Sequence, residues 1–190
     1  MHPWPDNIII QLHNVFGELA SLLKKDPSRL EFKFGAVTKN SYPIYKKCLK
    51  VLEHDPDWRF FSVVINLNDP KFHRPKDRLE QWNCYLRWIK ILLQRNIRAH
   101  EKVTLVADYL QKPKGEVYHI CTMPAVVPRL WDVLQVESQG ILLVQMADVL
   151  LGGSLYGGVD VVNKQLSDDV NALRATVGKL RFNEWRLKWE

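Results

Sequence analysis

The stretch Ser138–Gly153, SQGILLVQMADVLLGG, is the most apolar in the chain, and it carries Gln145 and Asp148 in its middle. Its length and its Leu142, Leu143, Met146, Val149 and Leu150 suit a helix buried along one face. Gln145 and Asp148 stand three residues apart and share a face of that helix, with Gly152 one turn further on. A carboxylate in so apolar a segment needs a partner or a metal, because an unpaired buried charge is costly. The spacing therefore leaves two readings: a core helix whose Asp148 hydrogen-bonds a neighbouring loop, or one wall of a polar site.

Working outward, the 190 residues are 46% hydrophobic and 25% charged, which suits a single folded domain over residues 1–190. No run approaches the roughly 20 apolar residues of a membrane span. The start MHPWPDN also lacks a basic segment followed by an apolar one, so the expectation is a cytoplasmic protein without a membrane partner. Cys48, Cys84 and Cys121 are odd in number and contain no CxxC pair, which speaks against a disulfide framework or structural zinc. The six histidines form no HExxH-type cluster. A net charge of +6 tilts the balance towards a polyanionic partner.

Helical spacing of Leu12, Phe16, Leu19 and Leu23 predicts a first helix ending near Lys25, with Asp6 as its cap. Leu30–Gly35 alternates apolar and charged residues like a short strand or extended segment, placing Glu31 and Lys33 on one side as an ion pair. A helix over 41–53 follows. Trp58–Leu67, WRFFSVVINL, reads as a central strand because it is almost wholly apolar. Arg78–Arg98 is the longest helix, with Trp82, Leu86, Ile89 and Leu93 as its buried stripe and Arg87, Lys90, Arg95 and Arg98 elsewhere. Lys102–Tyr109 is a strand that ends on Asp108, where open α/β sheets place functional groups and where turns also favour Asp. Further strands are expected over 116–122 and 131–136, and a flexible connection at Gly152, Gly153, Gly157 and Gly158. A last helix is expected to be capped near Ser167, followed by an edge strand or docking segment in RFNEWRLKWE. No GxGxxG or P-loop motif is present.

Three of these pieces, LEFKFGAVTKNSYPIYKKCLKVL with WRFFSVVINL, then KVTLVADY, then VESQGILLVQMADVLLGG, resemble in order the bacterial and archaeal DUF3800 domain family. The resemblance covers residues 30 to 155 and implies an α/β fold with an RNase H-like mixed sheet flanked by helices. The family's Glu-x-Lys motif matches Glu31 and Lys33, its strand-closing Asp matches Asp108, and its Gln-x-x-Asp matches Gln145 and Asp148. Ser138 falls where the family has a Ser before that helix. The family's first acidic strand, Asp-Glu-Ser-Gly, has no counterpart, so the first hairpin is expected to be missing and the site incomplete.

The resemblance implies a metal-dependent nuclease. In such a site carboxylates hold two Mg²⁺ or Mn²⁺ ions about 3.5–4 Å apart, which activate water and stabilise the leaving oxygen of a phosphodiester. Asp108, Asp148 and Glu31 would be the ligands, Lys33 would meet the scissile phosphate, and Gln145 and Ser138 would orient. The alternative is a catalytically inactive nucleic-acid- or partner-binding protein of a defence or mobile element. A sheet lacking its first strands also exposes an edge, which favours self-association or completion by a strand of another chain.

Overall fold

The structure, a computed structural model, describes residues 6–26, 30–56, 58–66, 68–116, 118–137 and 141–186. It is of the α/β class, and the chain divides into two compact units. Unit 1 comprises Met1–Phe60 and Glu137–Asn183; unit 2 comprises Phe61–Val136 and Glu184–Glu190.

Among the described residues, unit 1 is built on four helices: α1 (Asp6–Leu23), α2 (Tyr42–His54), α4 (Leu142–Leu155) and α5 (Val161–Val177). Leu12, Phe16 and Leu19 of the expected α1 stripe are buried, Leu12 and Leu19 almost fully, while Leu23 is partly covered. Lys24, at φ 51°, closes the helix in the left-handed region, and the Lys25 N–H reaches back to the Ala20 carbonyl, 3.0 Å away. Between α1 and α2 runs Leu30–Phe34. It is extended as far as Lys33, then tightens into a 3₁₀ turn over Phe34–Ala36. The core gathers Leu12, Phe32, Tyr45, Cys48, Val149, Leu166, Val170 and Phe182.

Two expectations about the chain after Gly152 are corrected. Gly152 and Gly153 lie inside α4 and are not a flexible connection. The lack of a side chain there lets other elements approach: a Cβ on Gly152 would stand 2.5 Å from the Phe34 Cβ, and one on Gly153 would stand 2.6 Å from a Val170 methyl. Helix α5 begins at Val161, capped by Asp160, whose carboxylate accepts from the Asn163 N–H at 2.9 Å. Ser167, expected at the cap, sits mid-helix and donates to the Gly153 carbonyl at 2.8 Å, joining α5 to α4.

Unit 2 is organised by α3 (Arg78–Asn96) and a parallel pair of strands, β2 (Val103–Asp108) and β3 (Leu130–Val136). Asp77 caps α3 by accepting from the Glu80 N–H at 2.8 Å. Trp82 and Leu86 of α3 are buried with Ile120, Met123, Val127, Leu130 and Val133, and Val103, Leu105 and Ala107 of β2 pack against them. Thr104, Val106 and Asp108 alternate to the exposed side. The strand expected over 116–122 is instead a 3₁₀ segment, Ile120–Ala125, among the described residues. It places Ile120 and Met123, three apart, on one buried side, while Pro124 lacks the N–H that a ladder would need.

The strand expected to be central also differs. β1 (Phe60–Val64) pairs with β4 (Phe182–Arg186) alone among the described strands, and only Ser62 of β1 is buried. The first residues of both strands belong to unit 1 and the rest to unit 2. In unit 1 the Phe60 N–H donates to the Arg181 carbonyl at 2.6 Å, and the Phe60 and Phe182 rings lie 4.8 Å apart.

Candidate functional site

Four of the six residues singled out from the sequence meet in unit 1, where Leu30–Phe34 lies along α4. Alternation in LEFKF turns Leu30, Phe32 and Phe34 inward, all buried, and turns Glu31 and Lys33 outward. An extended segment presents the N–H groups of residues i and i+2 on one edge, where a sheet would pair them. Here a helix supplies the acceptors. The Phe32 N–H donates to Oε1 of Gln145 at 2.6 Å, and the Phe34 N–H donates to Oδ2 of Asp148 at 3.1 Å. Gly152, on the same face of α4, leaves the space that the Phe34 side chain fills.

Further contacts hold the segment. The Tyr45 hydroxyl donates to the Lys33 carbonyl at 2.9 Å, and its ring stacks on Phe32 with centroids 4.0 Å apart. Burial pushes the Tyr45 hydroxyl far above its ordinary pKa, with a smaller contribution of the same sign from the Asp148 charge. It therefore stays protonated and keeps donating. Glu31 and Lys33 form the expected ion pair at 2.7 Å, with the lysine side chain 53% exposed. A pair so open to water contributes little stability.

The polar residues of the apolar helix thus have partners. Gln145, buried to 3% exposure, satisfies a backbone donor that would otherwise be stranded in the core. Asp148 is exposed at one side and hydrogen-bonded at the other, so the helix never buries an unpaired charge. The reading in which Asp148 bonds a neighbouring loop describes this contact.

Asp108 lies in unit 2, at the carboxyl end of β2 and opposite Val136 in the parallel register. It is exposed, and its Oδ1 accepts from the Tyr109 N–H at 3.0 Å. Burial raises the pKa of Tyr85 on α3, and the Asp108 charge adds to the shift. Ser138 lies outside the described residues.

A pair of divalent cations would have to draw on the donor set of unit 1. It offers two carboxylates, Glu31 and Asp148; an ammonium already sits on the first and a backbone N–H on the second. Two cations need anionic oxygens with lone pairs to share, and a neighbouring Lys33 charge opposes them. These residues by themselves do not fit such a metal pair.

Unit 2 holds a feature the sequence reading passed over, a cleft between the 71–75 loop and one face of α3. Its sequence trace was faint: Glu80, Asn83, Cys84 and Arg87 recur at helical spacing opposite the buried stripe of Trp82 and Leu86. Comparison of the chain with protein-family models finds no match, and comparisons with curated proteins and with solved structures find none either.

Proposed function

We propose that the protein binds nucleic acid through unit 2, with the Gln145–Asp148 face of α4 serving the fold and not catalysis. An RNase H-like ancestry, as the DUF3800 resemblance implies, goes with this reading as a fold kept for binding. The observation that carries it is the distribution of charge. Unit 2 has 14 Lys and Arg against 9 Asp and Glu, whereas unit 1 has 13 against 12, so nearly all of the net +6 belongs to unit 2.

Several of those cations lie against aromatic rings. Arg95 sits 4.6 Å from the Trp185 ring centroid and Lys102 sits 4.8 Å from that of Trp131, which is 69% exposed. Cations neutralise phosphates and exposed rings stack on bases, so the combination suits a strand held without sequence readout.

The test is anisotropy of labelled single-stranded and duplex DNA and RNA, at about 50 and 200 mM salt. Binding is expected at low salt and should weaken steeply as salt rises. Substituting Arg95, Arg98 and Lys102 together by Gln should make that salt dependence shallower by roughly one unit of slope per lost phosphate contact. No binding at low salt, or affinity indifferent to salt, would sink the proposal.

A second reading, hydrolysis of phosphodiesters with Mg²⁺ or Mn²⁺, is favoured by one observation. Asp108 stands exposed at the carboxyl end of a parallel strand, the usual place for functional groups in α/β sheets. Metal-dependent cleavage lost in both Asp108→Asn and Asp148→Asn would establish it over the first reading. Equal activity in wild type and variants would remove it.

A further inference from the structure

We propose that the cleft of unit 2 binds one nucleoside phosphate, its base against Trp88 and Phe72 and its phosphate between Lys71 and Arg87. The inference deepens the nucleic-acid reading and rests on it for the strand as the source of that nucleotide. The cleft encloses about 400 Å³. That is within the roughly 300–1,000 Å³ of small-molecule sites and suits one ligand of nucleotide size.

Its two walls are held before any ligand arrives. On the helix side, Glu80, Asn83, Cys84 and Arg87 follow one another at helical spacing on α3. The Trp88 indole N–H donates to the Cys84 sulfur at 3.2 Å, which orients the ring. On the loop side, Asp69 accepts from the Lys71 N–H at 2.9 Å through its carboxylate and from the Phe72 N–H at 2.9 Å through its carbonyl. The Arg74 guanidinium donates to the Asn68 side chain at 3.1 Å, and the Lys76 N–H donates to Glu80 at 2.7 Å. A loop tied at both ends loses little conformational entropy when a ligand enters.

The lining selects the ligand chemistry. Lys71 and Arg87 line the cleft with one carboxylate, Glu80, which already accepts the Lys76 N–H. The balance favours an anion. Phe72, Pro75 and Trp88 give apolar surface for a flat ring, and the Arg87 guanidinium lies 6.0 Å from the Trp88 ring centroid. A cation beside an aromatic plate, with a second cation across the gap, matches a base joined to a phosphate better than either alone. The nucleotide can come free or as one unit of a single strand.

Titration calorimetry of the full chain with AMP, adenosine, inorganic phosphate and an eight-nucleotide single strand separates the cases. AMP is expected to bind more tightly than adenosine or phosphate. Arg87→Gln or Lys71→Gln, both at exposed positions, should weaken AMP tenfold or more, and Arg87→Lys should recover part of the loss. The cleft proposal is overturned if both Gln variants bind AMP like wild type, or if phosphate alone binds as tightly as AMP. If the oligonucleotide binds and neither variant weakens it, the cleft falls while the nucleic-acid reading survives. If AMP binds in an Arg87-dependent way and no strand binds, the cleft stands and the nucleic-acid reading fails.

Discussion

In unit 1, the buried polar side chains Ser41, Gln145 and Ser167 each bond a backbone group, whereas in unit 2 the cations lie on the outside against exposed or half-buried aromatic rings. The cores differ in the same sense. Among the described residues, twenty-two buried ones form the cluster of unit 1, against seven in unit 2. A larger core tolerates polar groups inside it only when each finds a partner, and it confers more resistance to local opening. The smaller core leaves α3 with a wide polar face, on which a cleft can form. Under the proposed reading, the difference gives stability to one unit and recognition to the other.

The sharpest way to break that division is to remove the centre of the larger core. Phe32 is fully buried, stacked on Tyr45 and hydrogen-bonded through its own N–H to Gln145. Phe32→Ala should cost about 3–5 kcal/mol, read as a lower urea midpoint. Binding by unit 2 should persist in whatever fraction stays folded. A cost under about 1 kcal/mol would show that the segment is not part of the core.

Alkali probes the same core from another side. Burial pushes the Cys48 thiol up from its ordinary value near 9 to about 12. Between those values the unfolded chain has lost a proton that the folded chain retains, so stability falls as pH rises from about 9 towards 12. The loss from this group is at most about 4 kcal/mol. Cys48→Ala should flatten part of that fall in urea titrations at stepped pH, and the exposed Cys121 should react with maleimide well before Cys48 does. A pH profile identical in wild type and Cys48→Ala would refute the assignment.

The smallest effects separate the two acceptors on α4. Gln145→Leu strands the buried Phe32 N–H and should cost about 1–3 kcal/mol. Asp148→Asn keeps a carbonyl oxygen for the Phe34 N–H at an exposed position, and should cost under about 1 kcal/mol. Thermal unfolding of both variants checks the order. The reverse order would place Asp148, not Gln145, at the centre of the docking.

Much of the local structure was legible in the residues. The 3.6-residue recurrence of Leu12, Phe16 and Leu19, the long Arg78 helix, the alternation of Val103–Asp108 and the Glu31–Lys33 pair all emerge as read. Where reading failed, a local signal was ambiguous. Paired glycines after an apolar helix read as a break, although here they are the helix surface on which Phe34 and Val170 rest. An apolar run of β-branched and aromatic residues read as a central strand, although β1 pairs with β4 alone among the described strands.

The sequence by itself determined the periodicities, the charge excess and the presence of two polar residues on an apolar helix. Only the tertiary structure decided what those two residues do. Their partners, Phe32 and Phe34, lie 113 and 114 positions away, and the groups they satisfy are backbone N–H donors that every non-proline residue possesses. No residue type marks such a donor in advance. Whether it is left for a sheet, for water or for a glutamine is settled when the segment reaches its place against α4.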